Sequence, residues 1–313
     1  MILQAVPRID ELRLYYNTTI RPELLRLEHL RKRLVRGIII SILAAIGVVT
    51  LFLVLDLGFL VLTLGLPILF YLGTLYFRAE KFRQAFKPAI VNLLLAFLND
   101  TPNYQKLSYD PNKAISQDRF EKSGLFRPTP DLYHAEDYVQ GMVGEMAFEM
   151  GEAYVREISA ASNRMEIVFS GLFVHAIFGE RTLGRIAVWP RDKLRSLKRV
   201  VDEYVMEKGR PADIEVMNPV FRDLFAVYAK PGTHVAGILT PPMQDAMVRF
   251  ARSQPNDLFF AVDNQDLFIG VAHDYDLLEP SFWKSNLDFQ LIRQFYTDLV
   301  LILSTIEIFD QTH

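Results

Sequence analysis

Cysteine is absent from this chain of 313 residues, and tryptophan occurs only twice. Without thiols, the chain has no disulfides, zinc–thiolate centres, iron–sulfur clusters or cysteine nucleophiles. It also lacks a Walker loop, a G-x-G-x-x-G loop, a G-x-S-x-G elbow and a histidine pair at the spacing of a zinc protease. The sequence therefore contains no assembled active-site motif, which argues against an enzyme.

Charge is missing from two long stretches. Residues 37–55 form a run of 19 without charge and residues 57–77 a run of 21, and only Asp56 separates them. As helices these runs are roughly 28 to 31 Å long, which matches the hydrocarbon core of a bilayer. They predict a transmembrane hairpin with spans 37–55 and 57–77. A signal peptide fits poorly because the runs start late and are too long together, and a hairpin buried in a soluble core is the other alternative.

Basic side chains flank this hairpin on both sides, whereas its tip around Asp56 and Gly58 has none. They are Arg31, Lys32, Arg33 and Arg36 before the first run, and Arg78, Lys81, Arg83 and Lys87 after the second. Lysine and arginine are retained on the cytoplasmic side of a membrane. The sequence therefore predicts a multi-pass protein of the inner (plasma) membrane with both termini in the cytoplasm.

The hairpin divides the chain into three predicted parts. Residues 1–36 carry a net charge of +4 and have the apolar periodicity of an amphipathic juxtamembrane helix, with Pro22 either starting a new helix or bending a continuous one. Residues 37–77 are the hairpin. Residues 78–313 carry a net charge of −6 and form the predicted cytoplasmic domain. This negative charge argues against nucleic acid as a partner.

The sequence pattern of residues 78–313 predicts an α+β fold with an antiparallel sheet and packed helices, because the predicted strands come as hairpins rather than alternating singly with helices. The predicted strands are residues 143–148, 152–158, 165–178, 183–188, 225–228, 258–262 and 267–271, with 165–178 and 183–188 as one hairpin and 258–262 and 267–271 as another. The predicted helices are residues 79–98, 192–207, 241–251 and 283–309. The last of these is too charged to span a membrane, so we expect it to pack on the sheet.

The order of these features resembles domain-of-unknown-function family 3137, a family of bacterial membrane proteins. The matching pieces are Tyr16 with Ile20-Arg21-Pro22-Glu23-Leu24, the hairpin, Phe86-Lys87 with Ile90-Val91, Phe120-Glu121-Lys122-Ser123-Gly124-Leu125-Phe126, Glu136-Asp137-Tyr138-Val139-Gln140-Gly141, Phe169-Ser170-Gly171-Leu172-Phe173, Phe225-Ala226-Val227-Tyr228 and Ile238-Leu239-Thr240-Pro241. The resemblance implies an inner-membrane protein with a cytoplasmic domain, and it supplies no catalytic residues.

Carboxylates and histidines offer the few candidates for chemistry. His134, Glu136 and Asp137 form the densest group of metal-capable side chains, but they fit neither the zinc deaminase nor the zincin pattern. Their expected role is a polar loop that leads into the sheet.

Three glutamates follow closely in the chain. Glu145, Glu149 and Glu152 could supply paired carboxylates; on an unbroken strand Glu145 and Glu149 share a face, which we expect to be the solvated side of the sheet.

His175 lies in a predicted strand, where we expect it to be packed or half-exposed rather than catalytic. Gly141 and Gly144 form a lone G-x-x-G without basic neighbours, and Ser123-Gly124 and Ser170-Gly171 are expected turns or bulges. The sequence therefore identifies no catalytic, cofactor-binding or metal-binding residue, and it implies no cofactor.

The function that fits best is an interaction, scaffold or sensor module held at the inner leaflet, with the bilayer and a protein partner or a second copy as its contacts. One alternative is a membrane-bound hydrolase, with Glu136 or Asp137 near His134 as the residues to test. Another is a subunit of an oligomeric channel or transporter, although the apolar runs offer no ionisable lining.

Overall fold

The computed structural model describes residues 9–55, 61–126, 129–159, 163–179, 184–253, 256–274 and 279–312. The chain divides into two compact units. The helical unit takes in the described residues from 9 to 94 and from 279 to 295, and the sheet unit takes in those from 95 to 274 and from 296 to 312. The predicted domain boundaries after residues 36 and 77 stay predictions.

The helices are α1 (Ile9–Tyr15), a π-helical turn (Tyr16–Ile20), α2 (Arg21–Val54), α3 (Val61–Asn99), α4 (Gln117–Lys122), α5 (Lys198–Met206), α6 (Pro219–Leu224), α7 (Val235–Ile238), α8 (Pro241–Ser253) and α9 (Phe289–Thr312). The strands are β1 (Tyr104–Asp110), β2 (Leu132–Val143), β3 (Met146–Ile158), β4 (Met165–Ile177), β5 (Arg185–Pro190), β6 (Arg210–Pro211), β7 (Phe225–Ala229), β8 (Asp257–Asp263) and β9 (Asp266–Ala272). This architecture confirms the predicted α+β class.

In the helical unit, α1, the π turn and α2 form one continuous helix from Ile9 to Val54. Pro22 lies at the start of α2, and the preceding Arg21 N–H donates to the carbonyl of Tyr16, one residue wider than an α-helical bond. The chain thus passes Pro22 without a break, through a π turn. Helix α3 likewise continues through Pro67 and Pro88.

Among the described residues, Ile9–Val54 is the one helix that is long and apolar enough to cross a membrane. The core helix of a soluble protein or a signal sequence can be equally long and apolar. This one helix therefore does not confirm the predicted two-helix hairpin. The tip of that hairpin, at Asp56 and Gly58, lies outside the described residues.

In the part of the sheet unit that the structure describes, nine antiparallel strands lie in the order β1-β2-β3-β4-β9-β8-β5-β7-β6. One face packs on an aromatic cluster beside α4, where the rings of Phe120 and Phe126 stack at 4.9 Å and Phe126 also contacts Phe259. The opposite face receives the end of α9, whose Phe309 contacts Phe178 and Phe260. The alternation of strand side chains thus gives the sheet two buried faces.

Several predicted elements need correction. The predicted strand 143–148 is broken by a turn at Gly144 and Glu145, because Gly144 has a φ of +58° that closes the β2–β3 hairpin. The predicted hairpin of 165–178 with 183–188 is wrong, since β4 pairs with β3 and β9 while β5 pairs with β7 and β8. The predicted hairpin of 258–262 with 267–271 is confirmed.

Two further differences lie in residues 78–313. Strand β1 falls in residues 103–135, where the sequence predicts only turns and aromatic residues. Helix α9 begins at Phe289 instead of residue 283. The Asp288 carboxylate accepts a hydrogen bond from the Gln290 N–H at 2.9 Å, and a carboxylate in this position caps the first turn of a helix.

Candidate functional site: a histidine held between two carboxylates

His175 lies in the middle of the sheet unit, at a point where three strands run side by side. It faces Glu149 on β3 and Phe268 on β9 in the strand register, and its ring stacks on the Phe268 ring at 5.0 Å. Only 1% of its surface is exposed. Alternation along β4 therefore buries this polar ring beside an apolar core, where it needs partners for both of its nitrogens.

Both partners are carboxylates. His175 Nδ1 lies 3.1 Å from Glu149 Oε1, and Nε2 lies 2.7 Å from Asp266 Oδ1. A neutral imidazole has one N–H and one lone pair, so it can donate to only one of the two ionised carboxylates. The arrangement is fully hydrogen-bonded when the imidazole carries both protons and a positive charge.

Two cations and a phenol complete the cluster. Helix α4, capped by Ser116, carries Lys122, whose Nζ lies 2.5 Å from Asp266 Oδ2, and Arg119, whose Nε lies 3.2 Å from Glu149 Oε1. On β2, the Tyr138 hydroxyl donates to Glu149 Oε2 at 2.9 Å. Each carboxylate therefore meets His175 and one cation from α4.

These contacts shift the pKa values of the acidic groups. The hydrogen bond with His175 lowers the pKa of Glu149, more strongly than burial raises it. Burial acts to raise the pKa of Asp266, but the hydrogen bonds from Lys122 and His175 together bring it below its ordinary value. Burial beside Glu149 raises the pKa of Tyr138 to about 12. The ionised carboxylates are thus the stable forms, as the charge pairing requires.

The chemistry open to this cluster follows from its hydrogen bonds. Both ring nitrogens of His175 are engaged, so neither is placed to take a proton from a substrate or to bind a metal. What the cluster does is link β3, β4, β9 and α4 through charge-assisted hydrogen bonds. We call it the His175 cluster.

The structure separates the three glutamates, of which Glu145 and Glu149 were expected to share a face. Glu145 lies in the β2–β3 turn, where its backbone N–H donates to Asp310 Oδ1 at 3.2 Å. Glu149 belongs to the His175 cluster, on the face that carries the aromatic core rather than on a solvated side. Glu152 lies opposite Glu136 on β2. The expectation that Glu145 and Glu149 share a strand face is wrong because Glu145 lies in the hairpin turn, before β3 begins at Met146.

Glu136, Asp137 and Glu152 come together as a second acidic group. One carboxylate oxygen from each lies within 4.8 Å of the other two, a spacing that suits a hard cation such as Ca²⁺ or Mg²⁺. A bulge after Glu136, where Asp137 has a φ of +58°, turns Asp137 toward Tyr109, whose hydroxyl donates to it at 2.6 Å. His134 stays outside this group, with its Nε2 3.9 Å from Glu136 and both side chains exposed.

The remaining sequence candidates have local structural roles. The Ser123 hydroxyl donates to the Phe120 carbonyl at the end of α4 and accepts from the Leu125 N–H, so it forms a turn. Gly171, beside Ser170, has a φ of +149°, and a Cβ there would lie 2.1 Å from the carbonyl oxygen of Val271. Both sites therefore serve the backbone.

Sequence reasoning missed most of the His175 cluster. Glu149 and Asp266 are 26 and 91 residues from His175 along the chain, and Lys122 is 144 residues from Asp266. The available signal was weak: a histidine and a glutamate at inward-facing positions of adjacent strands.

A family model matches the C-terminal part of the chain. The family is described as a protein of unknown function (DUF3137), and the match covers residues 167–311. This confirms the family resemblance over a segment that includes His175 and Asp266 but not Glu149. No curated protein and no solved structure matches the chain significantly.

Proposed function

We propose that this chain is an inner-membrane protein whose helices span the bilayer twice and whose sheet unit is a cytoplasmic docking module for a protein partner. The observation that supports membrane insertion is the exposure of large apolar side chains along both helices. They include Ile40, Leu43, Ile46, Leu53 and Val54 on α2, and Leu66, Leu69, Phe70, Tyr76 and Phe77 on α3.

This exposure costs free energy in water and is favourable in lipid. Burying one such side chain contributes about 1.5 to 3 kcal/mol. In the most apolar 18-residue window of Ile9–Val54, 11% of the residues are buried. Two hydroxyls inside the first run are bonded within their own helix, Ser41 to the Gly37 carbonyl and Thr50 to the Ile46 carbonyl, both at 2.8 Å. A bilayer requires this internal pairing of polar groups.

The second span is supported by the way α3 lies against the first helix. The Tyr15 hydroxyl donates to the Leu93 carbonyl at 3.1 Å, and a Cβ added to Gly37 would lie 3.4 Å from Leu75. As the position on the first helix advances from 15 to 37, the partner on α3 falls back from 93 to 75. The two helices therefore run antiparallel, which brings residues 61–77 alongside residues 37–54.

The basic flanks set the orientation in this proposal. Arg31 to Arg36 precede the first run, and Arg78 to Lys87 follow the second. Retention of these charges in the cytoplasm leaves Asp56 on the outer side and puts the sheet unit in the cytoplasm.

The free ends of β2, β3 and β4 support a docking role for the sheet unit. Leu132, Ile158, Met165 and Ile167 are exposed apolar side chains at these strand ends, and the register places Ile158 opposite Met165. We call these four residues the strand-end patch. Residues 165–169 of β4 pair with β3 on one side, and pairing with β9 begins only at Gly171, so among the described residues no strand covers the other side.

A free strand edge beside apolar side chains fits one kind of partner well. An extended protein segment can add to such an edge by main-chain hydrogen bonds while its alternate side chains contact the apolar face. The hydrolase alternative has weaker support, because His134 is exposed and its Nε2 lies 3.9 Å from Glu136, beyond hydrogen-bond distance.

Crosslinking tests the docking role. A photo-reactive residue in place of Ile167, in the full chain in native membranes, should give one discrete protein adduct. In a separate sample, the variant Ile167→Lys should abolish co-purification of that protein. Met206→Lys is the control, because Met206 is also exposed and apolar but lies at the end of α5. Equal loss in both variants, or no adduct at Ile167, would contradict docking at the strand-end patch; an adduct with a second copy of the chain would make the partner the protein itself.

A further inference from the structure

An exposed tryptophan lies in the helical unit, in the stretch before α9. Trp283 is 66% exposed, and its ring meets the ring of Phe282 edge-on at 5.4 Å. The other tryptophan, Trp189, is fully buried in the sheet unit. A large aromatic ring with one N–H is most favourable at a membrane–water interface, where the ring is in the apolar zone and the N–H is hydrated.

Polar contacts fix this stretch to α2 and α3. The Phe282 carbonyl accepts from Arg31 Nη1 at 2.8 Å. Arg31 is itself buried and paired with Glu28, with its Nη2 2.6 Å from Glu28 Oε1. Glu279 accepts from Lys87 Nζ at 3.0 Å. Since Glu28 and Arg31 lie on α2 and Lys87 lies on α3, the stretch is held to both helices.

These contacts determine the position of Trp283 along the helices. Arg31 precedes the first apolar run, which starts at Gly37, by six residues or about 9 Å of helix. Ile38, at the start of that run, already lines the same cleft as Trp283. Trp283 thus lies where the basic flank ends and the apolar run begins.

The cleft beside Trp283 has an apolar end and a polar end. Its volume is about 370 Å³. Ile38, Leu72 and Tyr76, which belong to the apolar runs, line it together with Phe282 and Trp283. Glu80 and Arg83 line the polar end, where Arg83 Nη1 lies 4.0 Å from Glu80 Oε2.

We propose that this cleft binds one membrane phospholipid, with an acyl chain along Ile38 and Leu72, the phosphate at Arg83 and the Trp283 ring among the headgroups. The inference rests on the proposed membrane insertion and deepens it. Three observations select a lipid as the occupant. The apolar end is continuous with the exposed apolar sides of α2 and α3, the polar end carries a guanidinium that matches a phosphate, and Trp283 lies at the boundary between the two.

Lipid quenching of tryptophan fluorescence tests the site. The full chain is reconstituted in vesicles of phosphatidylethanolamine and phosphatidylglycerol whose acyl chains carry bromine either near the headgroup or near the chain end. The Trp283 signal is the difference between the wild type and Trp283→Phe, so the buried Trp189 needs no substitution. Bromine near the headgroup should quench this signal more strongly than bromine near the chain end.

A matched pair of charge variants tests the phosphate contact. Arg83→Ala should raise the fraction of brominated lipid needed for half-maximal quenching by about three- to fivefold, the effect of one partly exposed ion pair. Lys81→Ala removes an equal charge from the same helix outside the cleft and should leave that fraction unchanged. An equal effect of both variants would overturn the site.

Failure of the site and failure of the proposed function give different results. If the chain stays in the membrane after alkaline extraction but neither brominated lipid quenches Trp283, the lipid site is wrong and membrane insertion stands. If the chain is released by alkaline extraction, insertion is wrong and the lipid site falls with it.

Discussion

His175 Nε2 lies 2.7 Å from Asp266 Oδ1, across two neighbouring strands of one sheet. The contact joins a buried imidazole on β4 to a carboxylate at the first residue of β9, just after the β8–β9 turn. Because the other ring nitrogen faces Glu149, removal of either carboxylate takes a hydrogen-bond partner away from a buried ring. The stability of the sheet unit should depend on this pair in ways that can be measured.

Removal of the imidazole should destabilise the sheet unit. His175→Ala leaves Glu149 and Asp266 partly buried without their shared donor, which we expect to cost about 2 to 3 kcal/mol, less than for a fully buried ion pair because both carboxylates retain some exposure. Thermal unfolding of the full chain in detergent, followed by circular dichroism, measures the loss. His134→Ala is the control, since His134 is exposed and should change stability by no more than about 0.5 kcal/mol. Equal effects of the two variants would remove any special role for His175.

Acid should weaken the same cluster. The pKa values of Glu149 and Asp266 are lowered in the folded chain, so the unfolded chain binds their protons at higher pH than the folded chain does. Their contribution to stability is therefore fully present above the unfolded pKa values of about 4 and is lost as the pH falls through the lower, folded values. A series of unfolding curves between neutral and acid pH should show this loss.

The variants for the acid experiment follow from the geometry. Glu149→Gln with Asp266→Asn should flatten the acid limb of the stability curve. Glu145→Gln should leave its shape unchanged, because the Glu145 side chain is exposed in the β2–β3 turn. An acid limb that survives in the double variant would assign the effect to other carboxylates.

Gly141 should be sensitive to any added side chain, for a steric reason. A Cβ at this position would lie 2.5 Å from Leu107 Cδ2 and 3.2 Å from the carbonyl oxygen of Gln105, so β1 lies too close to admit one. Gly141→Val should therefore cost about 1 to 3 kcal/mol in unfolding free energy. Gly179→Ala is the control, since a Cβ there meets no atom within 4 Å. Normal stability of Gly141→Val would contradict the observed packing of β1 on β2.

Helix α9 should contribute to the stability of the sheet unit through its last turns. Phe309 is fully buried against Phe178 and Phe260, and Phe309→Ala should cost about 3 to 5 kcal/mol. The apolar pattern of the sequence places Phe295 on the same face of α9, but its side chain is only half-buried. Phe295→Ala should therefore lower the free energy of unfolding clearly less than Phe309→Ala does. Denaturant unfolding of both variants gives the comparison, and the reverse order of effects would show that α9 packs through its first half.

Periodicity predicted the local elements better than their partners. The β8–β9 hairpin was predictable because both strands are short, apolar and separated by a polar turn that contains Asn264 at a φ of +57°. The β4–β5 pairing failed because strand patterns do not encode which neighbour each strand takes, and β9 occupies the place beside β4. Strand β1 was missed because its pattern is interrupted at Lys106, which has a φ of +54°.

The His175 cluster could not be predicted for a related reason. Its two carboxylates come from β3 and from the first residue of β9, and its cations come from α4. No spacing along the chain relates these residues, and only the strand register brings them together. The apolar runs, by contrast, were visible at once, because insertion into lipid depends on composition over some twenty consecutive residues.

Cysteine labelling tests membrane anchoring and orientation most directly. The native chain has no cysteine, so each introduced thiol is the only one present. On intact cells, a membrane-impermeant thiol reagent should label Asp56→Cys, and it should label Asn112→Cys, in the sheet unit, only after the cells are opened. Labelling of Asn112→Cys with protection of Asp56→Cys on intact cells would contradict the orientation. Recovery of the protein in the soluble fraction, with both thiols protected until lysis, would contradict the membrane anchor itself.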